Sequence, residues 1–246
     1  MWIFHRRSRP LLCLILQPDH LILSVIDRKG WLARGDDHHQ LQAYERRKFE
    51  NNEFYQSRIF NYQSIARYLM QFMCAHHIKN PALAIAIDGS CVTEHLMCCV
   101  VEHETDGIAT VGCDTIKNGY HSSYLGRCQY AKNYAAHYQC SIDEPNVLQC
   151  HLLASLVKLP LVYLTSYVCT QLSAFSYRNG AVTVPVAPGD KNSLNAYVQG
   201  GIKTYDITHH VEVSRELTID VVCEKENIIA AFGLFLLGNR THEKFR

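Results

Sequence analysis

The alternation of apolar and polar residues is broken most sharply at Ala82–Ile87, an unbroken apolar run bounded by Pro81 and by Asp88-Gly89. Such a run between turn signals predicts a strand buried on both faces beneath helices. Asp88-Gly89-Ser90 supplies a turn, because glycine tolerates positive φ and aspartate bonds the local backbone. The next apolar run, His95 to Val101, is expected to return as a neighbouring strand, and the pair forms the candidate sheet core.

Upstream, Leu11–Gln17 and Leu21–Asp27 are strand-like and meet through Pro18-Asp19-His20, a spacing that predicts a hairpin. Gly35–Gln56 is polar and reads as a surface connection touching the core only at Leu41 and Tyr44. Asn61–Asn80 is the clearest helix. Its apolar stripe runs through Tyr62, Ile65, Ala66, Leu69, Phe72 and Met73, with Asn61 as a cap and Asn80-Pro81 as a stop.

Downstream, Tyr124–Tyr138 is expected to be helical, with Leu125, Cys128, Ala131, Tyr134 and Ala135 on one side. Leu148, Leu152 and Leu156 keep helical spacing, Leu161–Thr165 predicts a strand, and Ser166–Arg178 a further helix. Ala181–Val186 and Leu217–Cys223 are expected strands, Pro188–Asn192 a loop, and Asn227–Leu237 a closing helix. This order predicts a layered α/β domain on a mixed sheet.

Composition narrows the class without naming a chemistry. A chain of 246 residues can bury a sizeable core, and 48% hydrophobic with 19% charged residues excludes wholesale disorder. The formal charge of +1 gives no global field for nucleic acid, so no nucleic-acid partner is expected. The 11 cysteines are odd in number and form no Cys-x-x-Cys pair, which predicts reduced core thiols in a reducing compartment. Leu11–Leu16 is too short for a signal-peptide core, and Ile228–Leu237 is too short to span a bilayer, so a soluble protein is expected.

The candidate chemistry is sparse. Cys91, His95, Cys98 and Cys99 are the densest ligand-type cluster, but zinc needs a second arm that the sequence does not supply. No metal or cofactor is therefore expected. The doublets His38-His39, His76-His77 and His209-His210 diverge by position, and His76 reads as a residue near a helix C-terminus. Gly200-Gly201 lacks the Lys-Ser/Thr ending of a phosphate loop, and Asp143-Glu144-Pro145 reads as a structural turn.

One pattern spans the chain in order. A short hairpin is followed by Arg58-Ile59-Phe60-Asn61, an amphipathic helix, and the Ala82–Ile87 strand leading into Asp88-Gly89-Ser90. Leu152–Leu156, Leu161–Thr165 and Thr170–Phe175 continue it, and Ile228–Gly238 closes it with Gly233 inside an apolar helix. This resembles the actin-like type IV pilus assembly proteins of the PilM/HofM kind.

The resemblance implies an actin-like (ribonuclease H-like) α/β fold, with mixed-sheet lobes and helices packed on them. It implies one unit over 1–246, with lobes near 1–145 and 146–246. ATP-binding proteins of that kind hold phosphate on an Asp-x-Gly hairpin, whereas this turn reads Gln17-Pro18-Asp19-His20, and Pro18 removes a donor. A second phosphate hairpin is expected near Ala181–Asp190, where only Pro188-Gly189-Asp190 remains. Gly200-Gly201 is the nearest match to the adenosine-side glycine pair.

The implied role is a cytoplasmic scaffold, peripheral at a bacterial inner membrane, that binds the tail of a PilN-like membrane partner in pilus assembly or competence and does not hydrolyse nucleotide. The partner site is expected at the first hairpin, taken as a sheet edge, with His20, Ser24, Tyr62 and Tyr68 as contact residues. The alternatives are a nucleotide-binding actin-like ATPase and an unrelated α/β enzyme using Cys91 or Asp88.

Overall fold

The computed structural model describes residues 10–28, 39–50, 53–100, 120–128, 134–177, 183–184 and 191–244. Strands β1 (Leu11–Leu16) and β2 (His20–Arg28) form the expected hairpin, paired antiparallel from Leu12↔Val25 to Leu16↔Leu21. Strand β6 (Ala82–Ile87) lies parallel on the other side of β1, and β10 (Leu161–Ser166) lies parallel beyond β6. Every residue of β1 and β6 is buried, as unbroken apolar runs require when helices cover both faces.

The polar stretch read as a surface connection instead contains β3 (His39–Lys48), antiparallel to β2, with Leu41, Ala43 and Tyr44 buried. A short strand, β12 (Val211–Val213), adds to β3 in parallel. The sheet order is β10-β6-β1-β2-β3-β12. Three antiparallel strands continued by two parallel ones make the mixed sheet of an actin-like (ribonuclease H-like) α/β fold. Since β10 pairs with β6, the expected lobe boundary at 145/146 passes through this sheet.

Helix α1 (Tyr62–Ala75) is capped by Asn61, whose side chain accepts from Ser64 N, and it ends at His76, short of Asn80. Helix α2 (Glu144–Leu156) is capped by Asp143, with Pro145 in its first turn. Both pack on one face of the sheet, over Leu12, Leu14, Leu16, Leu83 and Ile85. Helices α3 (Tyr167–Ser176), α4 (Lys191–Thr204) and α5 (Lys225–Lys244) cover the other face, over Cys13, Ile15, Ile22, Ala84 and Ala86. Ser166 caps α3 by accepting from Cys169 N.

A second sheet arises between β6 and β10. The expected return strand is β7 (Val92–Val100), but it pairs with β9 (Tyr134–Ile142) and not with β6. The helix expected over Tyr124–Tyr138 is instead β8 (Tyr120–Cys128) paired antiparallel with β9, with residues 129–133 outside the described ones. Strand β11 (Thr183–Val184) completes the order β11-β8-β9-β7. Leu217–Cys223 forms no strand. Its Leu217, Ile219 and Val221 pack singly against the α5 side of the core, and alternation without a partner strand gives coil.

Candidate functional site

In open α/β sheets, ligands sit outside the carboxyl ends of parallel strands. Here those ends are Leu16, Ile87 and Ser166, followed by Gln17, Asp88 and Tyr167. The β1–β2 turn closes on itself: Gln17 N donates to His20 O at 2.9 Å, and Pro18 has no N–H. The Asp19 carboxylate takes its bond from His20 Nδ1 at 2.5 Å and from its own amide. The His20 bond holds that carboxyl below the usual range, against a slight cost of desolvation. Little of this turn is left to cradle an anion.

The groups around the turn are also engaged with one another. Asp88 N donates to Leu16 O at 2.8 Å. Burial raises the Asp88 carboxyl, the Gly89 amide lowers it, and the nearby Glu226 raises it further. Glu226, in the first turn of α5, accepts from Tyr167 Oη and from Gln171 Nε2, each at 3.2 Å. Tyr138 Oη donates to Glu94 Oε1 at 2.5 Å and lies 2.7 Å from Ser166 Oγ. These described side chains at the crevice are therefore bonded to one another.

On the α1–α2 side of the same strand end lies an open pocket of about 460 Å³, lined by Gln56, Arg58, Ser90, Cys91, Asp143 and Asn146. One wall is a hairpin of β4 (Phe54–Tyr55) and β5 (Arg58–Ile59), whose turn residues Gln56 and Ser57 have φ of 47° and 60°. Two adjacent left-handed non-glycine residues hold a type I′ geometry that would suit Asn-Gly better. The turn is seated on Gly89, at φ +113°, because Ser57 Oγ occupies the space a Cβ would need. Gln149 of α2 ties down the other strand by accepting from Ile59 N at 2.9 Å.

Chemically the pocket offers one guanidinium, one carboxylate and amides. Cys91 is a poor nucleophile there: burial, with the Asp143 charge next, pushes its thiol up to about 11 despite the bond from Ser57. Among the described residues no group of three or more His, Cys, Asp or Glu side chains is placed to hold a metal. The side chains of His95, Cys98 and Cys99 lie outside the described ones.

The four expected contact residues do not form one surface. His20 and Ser24 are 7% and 0% exposed and lie on the sheet face covered by α5, where Ser24 stands opposite Cys13 of β1. Tyr62 and Tyr68 belong to α1 and pack against the opposite face. Tyr68 Oη donates to Glu45 Oε2 at 2.6 Å, with the Arg47 guanidinium 4.5 Å from its ring centre. The hairpin expected at a sheet edge is central, with β6 on one side and β3 on the other; the edges are β10 and β12. Two central strands present no unpaired backbone to a peptide.

Other expected features are relocated too. Gly200-Gly201 lies inside α4, where Gly201 lets the Phe175 ring approach; a Cβ would sit 2.6 Å from Phe175 Cε2. The expected second phosphate hairpin falls mostly outside the described residues, and Thr183–Val184 pairs in parallel with β8. His39 sits among the rings of Tyr177, Phe232 and Phe235, with centroids 5.1–5.9 Å away. The sequence reading missed the pocket. Its one local sign was Asp143-Glu144-Pro145, read as a structural turn, where the structure instead begins α2 with Asp143 as its cap and sets that residue in the pocket with Arg58.

Fold and crevice together define an actin-like (ribonuclease H-like) α/β protein with a self-satisfied cleft. No protein-family model matches the sequence, and no curated protein does. Among solved structures, the chain is similar to the PilM-PilN type IV pilus biogenesis complex, at 11% identity over 68% of this chain with a TM-score of 0.48. It is also similar to the cytoplasmic domain of EpsL, an inner membrane component of the type II secretion system of Vibrio cholerae, at 8% identity over 65% of this chain with a TM-score of 0.32. The chain spans 50% and 57% of the lengths of those two proteins.

Proposed function

We propose that the chain is a scaffold of a type IV pilus or related secretion assembly system, docking the cytoplasmic tail of an inner-membrane partner of the PilN type without hydrolysing nucleotide. The observation that carries this reading is the β1–β2 turn. In the family resembled, that turn donates backbone N–H groups to phosphate; here Gln17 N is spent on His20 O and Pro18 has none. The sequence resemblance in chain order supports the partner class. No helix among the described residues is long and apolar enough to cross a membrane, so attachment in this reading comes through the partner. The pocket beside Arg58 and Asp143 takes the place of the buried hairpin as the docking point for a short charged tail.

Calorimetric titration of the full chain with Mg·ATP is expected to give no binding heat, and clear micromolar binding would hand the reading to a nucleotide-dependent member of the same fold. A fluorescent PilN-type tail peptide is expected to bind and to lose affinity at least tenfold with Arg58→Glu. A peptide that binds equally to both forms removes the pocket from the interface, and one that binds neither removes the partner class.

A further inference from the structure

Helix α2 is apolar on two faces. Val147, Cys150, Leu153 and Ala154 face the core and are buried, which accounts for how the helix packs in one chain. Leu148, Leu152 and Leu156 recur every four residues on the far side and remain 57%, 57% and 52% exposed. Isolated exposed leucines need no explanation, but a column of three opposite an already buried face does.

We propose that this column pairs with the same column of a second copy of the chain, the two α2 helices running antiparallel across a two-fold axis at Leu152. The charge arrangement selects this occupant. Exposed Glu144 stands at the N-terminal end of α2, and exposed Lys158 follows its C-terminal end. With Leu148 of one copy opposite Leu156 of the other, each Glu144 comes over the Lys158 end of its partner, twice by symmetry. The antiparallel helix dipoles also oppose favourably. A parallel pairing would place like charges together at both ends. The contact is small beside the roughly 800 Å² per partner of a standard interface, so the dimer is weak and reversible. This inference stands independently of the scaffold reading.

Sedimentation equilibrium of the full chain from micromolar to millimolar concentration is expected to show a monomer–dimer equilibrium. Leu152→Glu should weaken it at least tenfold with an unchanged melting temperature, because the residue is exposed. Glu144→Lys and Lys158→Glu should each weaken it several-fold, and the double exchange should restore it. A monomer at every concentration overturns the proposal, whether or not the chain then floats with anionic vesicles, which would give the face to a membrane surface. A dimer indifferent to Leu152→Glu overturns it as well, and a double exchange without rescue overturns the antiparallel register.

Discussion

Gly233 of α5 lies directly against the backbone of Thr170 in α3: a Cβ at Gly233 would overlap the Thr170 carbonyl oxygen and sit 2.5 Å from its carbon. The obstacle is main chain, which cannot swing aside as a side chain can. Gly233→Ala is expected to force the two helices apart and cost about 2–3 kcal/mol, measured by urea denaturation. Gly200, in α4 with nothing within 4 Å, is the control. There Gly200→Ala should be neutral or stabilise by up to about 1 kcal/mol, since alanine is the better helix former.

Glu53 is 1% exposed and accepts from Arg47 Nη1 and Nη2 at 2.8 and 2.9 Å, from Glu50 N at 2.8 Å, and from Ser64 Oγ. Burial alone would raise its pKa, but the bonds from Arg47 and Ser64 outweigh it and hold the carboxyl below the ordinary 4.5. A lowered folded pKa gives stability that is present above the ordinary value and is lost as pH falls from there through the folded pKa. Stability measured across that acid window should fall more steeply in the natural chain than in Glu53→Gln. At neutral pH the same substitution should cost about 2 kcal/mol.

Ser24 is fully buried beside Cys13, between the sheet and α5. Ser24→Glu is therefore expected to lower stability by about 3 kcal/mol or more, because a carboxylate there has neither solvent nor a cation. An unchanged melting temperature would return this position to the surface.

Thiol accessibility should follow burial site by site. Cys74 and Cys223 are exposed, while Cys13, Cys150 and Cys169 are buried. Burial pushes the Cys13 and Cys150 thiols far above the ordinary range, and the bond to Asp220 raises Cys223. Peptide mapping after brief maleimide treatment at neutral pH is expected to find Cys74 modified first, Cys223 more slowly, and Cys13 and Cys150 only after denaturation.

Local signals in the sequence determined the strands β1 and β6, their hairpin and turn neighbours, and the starts of α1, α2 and α3. Unbroken apolar runs, an Asn61, Asp143 or Ser166 cap and a Pro145 in the first turn act within a few residues and need no distant partner. The departure of the Gln17–His20 turn from a phosphate hairpin was legible for the same reason, since a proline removes a donor wherever it stands.

Tertiary structure alone decided the pairings and the directions of faces. β3 is polar because one of its sides meets solvent, and only β2 beside it turns that pattern into a strand. The Tyr- and His-rich stretch of β8 and β9 has apolar spacing that suits a helix locally, and it is the long-range register with the nine-residue β7 that settles strand over helix. In α2 both faces are apolar, and periodicity gives the helix without saying which side turns inward; the sheet chose Val147 and Leu153 and left Leu152 outside. His20 and Ser24 were placed beneath α5 by a helix two hundred residues further along the chain.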